Sequence, residues 1–325
     1  MGRTATTTTT TTDPAMFLTA FAVLFPLFSK IAVGSLIRHL IPLSDQAVSQ
    51  MNTIIFRVFL PALLFVNIYQ SDFASITSLS FLLFSLAVLL AIFILLMLLV
   101  PHFETENPRR GVLVQGISRS NFIFFGLPMA QTLYGGTSKG AASLLVGVLV
   151  PVLNVISVIA LEYFRGNKPE VKKIAAGVAR NPILIGGVAG LLCVSLKIEL
   201  PSLIEQLLVD ISEIATPLAL ILLGCSVTFS SVHQNRRALI VAVASRLLVV
   251  PAIGVGLALL FGFRGLELIL LMALFASPTA VSSYTMAEQM GGDSQLAAQI
   301  IVLTTTLSLF SLFGWITLLM GLGFF

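Results

Sequence analysis

The sequence predicts an all-α polytopic membrane protein, ten transmembrane helices arranged as two inverted five-helix repeats. Three observations carry that expectation. Charged residues are 10% of the chain against 57% hydrophobic, with a mean hydropathy of +1.03. Stretches such as 79–100 hold no ionisable side chain over the roughly 20 residues that about 30 Å of hydrocarbon requires. The chain also repeats itself at an offset of 156 residues, and two of its apolar spans are interrupted by polar residues and proline.

Taken in order, residues 1–14 are a threonine-rich tail with too few apolar side chains to fold, read as disordered. Apolar spans follow at 15–37, 47–68, 79–100, 111–134, 140–163, 179–196, 203–229, 239–261, 266–290 and 296–325. The first is too long, and lacks the small-residue cleavage pattern, for a signal peptide. Gly135, Gly136, Ala141, Ala142 and Val146 align without gaps to Gly291, Gly292, Ala297, Ala298 and Val302, and the same offset relates Pro26 to Pro182 and Pro61 to Pro217. Repeat 1 is thus 15–164, a cytoplasmic loop occupies 165–178, and repeat 2 is 179–325. Five spans per repeat is an odd number, so the second copy enters the membrane from the opposite face.

Lysine and arginine in the short loops set the orientation. Arg38, Arg109, Arg110, Arg165, Lys168, Lys172, Lys173, Arg180, Arg236 and Arg237 fall on one side, and Arg3, Lys139, Lys197 and Arg264 on the other. The richer side is expected in the cytoplasm, with both termini outside the cell membrane. The same grouping explains the net charge of +4 without nucleic acid as a partner. Cys193 and Cys225 stand singly in apolar spans, so neither a disulfide framework nor a metal site is expected, and no cofactor is indicated. Enzymatic function is disfavoured. His39, His102 and His233 lie at loops or span ends, no Asp or Glu falls within 118–128 or 275–286, and no G-x-x-x-x-G-K loop occurs.

The candidate site is the pair of interrupted spans. Residues Ser118 to Pro128 place a charge, an amide, Gly126 and Pro128 inside an apolar run, and Ser277-Pro278-Thr279 with Ser282 and Ser283 does the same in the second half. Proline cannot donate its backbone bond, so the chain is expected to unwind or kink there. Freed backbone groups at membrane depth must line a polar cavity or be buried in protein. Two broken spans in corresponding halves point to a transporter's binding site. Arg119 lies near mid-bilayer, where a charge is costly; it either forks onto a carboxylate or balances freed carbonyls. Asn121 and Asn154 can hydrogen-bond a substrate, or a helix end and a neighbouring helix respectively. Thr279, Ser282 and Ser283 are hydroxyl donors at the start of a half-helix, a place that favours anions, although such hydroxyls also bond their own helix. Arg57 and Glu213, each four residues before a repeat-related proline, are expected to pair. Arg246 has no partner visible in the sequence.

The stretch Asn121 to Pro128, the FLPALLF run around Pro61, the ATPLALILLG run around Pro217 and the stretch from Ser277 to Asp293 resemble the auxin efflux carrier family. That family includes the plant PIN carriers and bacterial carriers of malate or malonate, and the short 165–179 connection fits the bacterial branch. The resemblance implies a fold shared with bile-acid symporters and sodium/proton antiporters, in which spans four and nine are broken and cross. Spans one, two, six and seven would form a scaffold and the other six a moving transport domain, as a homodimer. By motif, Asn121, Gly126 and Pro128 match the first crossover and Pro278 the second. The implied activity is carriage of small organic anions, driven by membrane potential or coupled to a proton or sodium ion. A sodium-coupled symporter of the bile-acid type and a passive anion channel are the alternatives.

Overall fold

A computed structural model describes residues 14–71, 79–124, 139–166, 170–227 and 232–324; the threonine-rich tail, Gly126 and Pro128 lie outside the described residues. Its helices are α1 (Pro14–Leu40), α2 (Asp45–Ile54), α3 (Leu60–Tyr69), α4 (Leu79–Phe103), α5 (Asn107–Ser118), α6 (Lys139–Tyr163), α7 (Val171–Ala179) and α8 (Pro182–Ser195). After these come α9 (Ser202–Ser226), α10 (Arg236–Ala244), α11 (Val250–Leu260), α12 (Gly265–Ala276), α13 (Ser282–Gln289) and α14 (Ser294–Gly321). The described residues form no strand beyond one isolated bridge. Among the described residues six helical runs are long and apolar enough to cross a membrane: 45–69, 79–103, 145–163, 202–226, 236–260 and 294–321. The pair α7 and α8, bent by 60° at its break, makes a seventh candidate, and α12 is a shorter apolar helix.

Local chemistry sets these boundaries. Ser44 caps α2 by accepting from the Ala47 amide at 3.1 Å, and Asp293 caps α14 by accepting from the Leu296 amide at 2.9 Å. Asn181 caps α8 through the Ile183 amide, with Pro182 at the first helical position, where its missing N–H costs nothing. Within the expected 165–178 loop the chain is helical as α7. Val171, Ile174 and Val178 recur there at helical spacing, with Lys172 and Lys173 between them.

Two π-helical turns interrupt long spans, Ile55–Phe59 between α2 and α3 and Ser245–Val249 between α10 and α11. Each lies just ahead of a proline, Pro61 or Pro251. Pro251 cannot donate to the carbonyl of Leu247, and the Trp315 indole N–H bonds that carbonyl instead at 3.1 Å. The side chains in these turns are thereby re-aimed, as π-turns commonly do at functional positions.

Glycine brings the helices of one layer into backbone contact. On α1, a Cβ at Gly34 would sit 1.9 Å from the Ile221 carbonyl oxygen of α9, and one at Gly224 would sit 2.0 Å from that of Ile31. The α3 and α8 helices meet in the same way, with Gly186 against Pro61 and Gly190 against Phe65. With no water to squeeze out between membrane helices, such close packing is what holds them together. Helices α5, α6, α12, α13 and α14 form the adjoining layer, whose side chains from Leu268 to Ala276 are at most 2% exposed.

Candidate functional site

The site grows from two helix ends. After Ser118 the chain leaves α5 with extended dihedrals at Arg119 (φ −87°, ψ 117°), and after Ala276 it leaves α12 extended at Ser277 (φ −65°, ψ 152°). Pro278 accounts for the second departure, because the residue before proline is driven out of the helical region. The first comes earlier than the sequence suggests, ahead of Gly126 and Pro128. The two extended pieces lie antiparallel, bridged at Ser120 and Thr279. The Asn121 amide donates to the Pro278 carbonyl at 2.9 Å, and the Ala280 amide to the Arg119 carbonyl at 3.4 Å.

Breaking two helices at once strands several carbonyls, and side chains nearby take them up. Arg246, 1% exposed, donates from Nε to Ser277 O at 2.7 Å, from one terminal nitrogen to Ile117 O at 3.0 Å, and from the other to Leu274 O at 3.1 Å. Thr279 donates its hydroxyl to Gly116 O at 2.6 Å, and its amide bonds the Thr304 hydroxyl at 3.3 Å. The C-terminal ends of α5 and α12 each carry about half a negative charge. The single guanidinium of Arg246 therefore neutralises both, and each of its three nitrogens donates to main chain. This arginine is a fixed element of the crossover.

Arg119 is placed differently. It is 5% exposed and lines a small cavity of about 90 Å³ between the crossover and helices α3, α6, α8 and α9. One terminal nitrogen donates to Asn154 Oδ1 at 2.8 Å and to Ser282 Oγ at 2.9 Å, and the other to the Met286 thioether. None of these partners is charged. Among the described residues no carboxylate lies within ion-pair distance of Arg119, so a buried cation is held by neutral dipoles alone. Buried charges ordinarily carry a counter-charge.

The sequence-derived candidates therefore separate. Arg119, Asn121, Asn154 and Ser282 all line the cavity, and the Asn121 side chain makes no hydrogen bond among the described residues. Thr279 does not line it, because its hydroxyl serves Gly116. Ser283 is 2% exposed, away from the cavity, and its hydroxyl has no partner among the described residues. Three lining groups escaped the sequence reading: Ser120, Asn67 and Thr216. The Ser120 hydroxyl is buried without a partner among the described residues. The signal lay in its position beyond the helix end, since Ser118, still helical, returns its hydroxyl to Val114 O at 2.7 Å.

Arg57 and Glu213 do not pair. Both side chains are exposed on the outer surface of the chain, and no ion pair joins them. Matching registers relative to proline fix depth along a helix but not the direction in which a side chain leaves it, and the two point outward. On the side of the crossover towards the end of α13, a polar network ties that helix to α2 and α9. Asn52 donates to Glu288, Thr285 donates to Asn52 at 3.1 Å, Thr53 to Gln289 at 3.2 Å, and Tyr284 to Ser226 at 2.5 Å.

Two helix ends thus meet as antiparallel extended pieces among apolar helices, beside a cation that has no counter-charge among the described residues. Residues 19–316 match the family described as membrane transport protein. The chain belongs to this family. The match covers nearly the whole bundle, in agreement with the auxin efflux carrier motifs around Pro61, Asn121, Pro217 and Ser277, and identifies a multi-pass membrane transporter. An uncharacterized transporter of Methanocaldococcus jannaschii is 27% identical over 287 residues, covering 85% of this chain and 92% of that protein. A Rhizobium meliloti protein named "Putative malonate transporter" is 23% identical over 305 residues, covering 91% of this chain and 95% of the relative. Among the described residues no group of three histidine, cysteine or acidic side chains is placed to hold a metal ion.

Proposed function

We propose that the protein is a carrier of small carboxylate anions, which bind in the crossover cavity against Arg119. The observation that carries this reading is the buried guanidinium without a counter-charge, bordered by the Asn121 side-chain amide and the Ser120 hydroxyl without hydrogen-bond partners, in each case among the described residues. A carboxylate supplies the missing charge and accepts from all three groups. The name of the Rhizobium relative favours a small organic acid.

Transport then proceeds by elevator-type alternating access, driven by the membrane potential or an ion gradient. In this reading the ten spans form two inverted repeats in the cell membrane, with both termini outside. The close-packed glycines support it, because Gly34, which meets α9, and Gly190, which meets α3, are themselves 156 residues apart in the chain. The layer of α1, α2, α3, α8 and α9 is the scaffold, and the layer carrying the crossover moves against it. Movement of α13 would exchange the Asn52, Thr53 and Ser226 bonds for others, so that network acts as a latch for the present state. The exposed Arg57 and Glu213 lie near the middle of their spans, where charge facing lipid is costly. A homodimer built on the scaffold covers them, Arg57 of each copy facing Glu213 of the other.

Counterflow into proteoliposomes loaded with malonate, malate or indole acetate tests the activity. Saturable exchange of at least one acid is the expected result. Unitary currents with no counterflow would instead assign a passive anion channel.

A further inference from the structure

We infer that the crossover site takes its substrate as a monoanion, so that a dicarboxylic acid such as malonate is bound and carried with one of its two carboxyl groups protonated. This rests on the carboxylate reading above and specifies the charge state that the site selects.

The inference comes from counting charge around the cavity. Of its described lining residues only Arg119 is ionisable; the other polar ones are Asn67, Ser120, Asn121, Asn154, Thr216 and Ser282. The broken spans and the helix beside them supply no second cation. Residues 111–138, 140–161 and 268–287, which contain both breaks and the helix beside them, include no lysine or arginine except Arg119. The other buried guanidinium, Arg246, does not line the cavity, and each of its nitrogens already donates to a main-chain carbonyl. Most of the lining supplied by α3, α6, α8 and α9 is apolar, with Leu60, Leu64, Leu153, Ile183 and Ala219.

One carboxylate on Arg119 brings the charge of the loaded site to zero. A second carboxylate a few ångströms away would lie against that lining without a counter-charge, a far costlier arrangement than a neutral group with hydrogen-bond partners. Protonated, the same carboxyl can donate to Asn67 or Thr216 and accept from them. The proton is taken up from solution before binding, because no described side chain in the cavity can supply it. The volume of about 90 Å³ is well below the roughly 300 Å³ at which pockets for drug-sized ligands begin, and suits an acid of a few carbon atoms. A loaded site with no net charge is also the one that crosses the membrane interior at least electrostatic cost.

The experiment is equilibrium binding to the purified full-length chain, over a pH series from mildly acidic to mildly alkaline. The ligands are malonate, its monomethyl ester and propionate. The ester and propionate stay singly charged throughout and are expected to bind with an affinity that does not change across the series. The apparent affinity for malonate is expected to fall about tenfold for each pH unit above its second ionisation, in step with the monoanion fraction. Malonate affinity that stays constant with pH and exceeds that of the monoester would overturn the inference while leaving the carboxylate reading intact. Failure of all three acids to bind would overturn both.

Discussion

Replacing Arg246 by Met removes a side chain that bonds main-chain carbonyls of both α5 and α12. Met keeps an unbranched stem, so most of the space stays filled while three carbonyls lose their donor. Three buried carbonyls, Ile117 O, Leu274 O and Ser277 O, are then left without that partner, each at about 1–3 kcal/mol. The terms are not additive, since a carbonyl has two lone pairs and the crossover can relax. The expected total is therefore about 4 kcal/mol, similar to breaking a buried ion pair. At roughly 2–4 °C per kcal/mol for chains of this order of size, melting in detergent should fall by on the order of 10 °C. Arg246→Lys keeps the charge but not the planar fork and should recover about half of that loss. Thermal melts followed by size-exclusion chromatography read both variants. If Arg246→Met melts within a degree or two of the parent, Arg246 does not hold the crossover together.

Asn121→Ala removes a neutral donor to a charged ligand, worth about 1.5–3 kcal/mol, so affinity for a transported acid should fall about tenfold to a hundredfold with folding intact; unchanged binding would take Asn121 out of the site. For the dimer, Arg57→Glu should shift the purified protein towards monomer, and adding Glu213→Arg should restore the dimer, both read by native mass spectrometry. A parent that is monomeric at every concentration contradicts that interface. A cysteine replacing Lys172 should resist impermeant external thiol reagents in intact cells, as the lysine and arginine distribution requires, and ready labelling would reverse the orientation.

The sequence made the two breaks legible because proline and polar residues inside apolar runs have few other uses. The same logic singled out Arg119, Asn121, Asn154 and Ser282, which the fold gathers around one cavity. Other features left no readable trace. The partners of Arg246 are main-chain carbonyls 28, 31 and 129 residues away, and a carbonyl is present at every position whatever the side chain. Thr279 shows the reverse problem, since a hydroxyl next to a break can serve a ligand or a stranded carbonyl, and only the antiparallel bridge puts Gly116 within its reach. Arg57 and Glu213 look paired along the chain because register gives depth without azimuth. The α7 helix had its periodic Val171, Ile174 and Val178, but the surrounding charges and the short length made a loop the natural reading.

The central claim is that an anion completes the charge of Arg119, and it is tested most directly by equilibrium binding of the acid identified in counterflow to parent, Arg119→Gln and Arg119→Lys proteins of equal thermal stability. The account predicts that Gln lowers affinity by a hundredfold or more, about 3 kcal/mol for removing a charge-assisted hydrogen bond from a buried site. Lys, which keeps the charge without the fork, should bind with intermediate strength. Parent-like affinity in well-folded Arg119→Gln would contradict it.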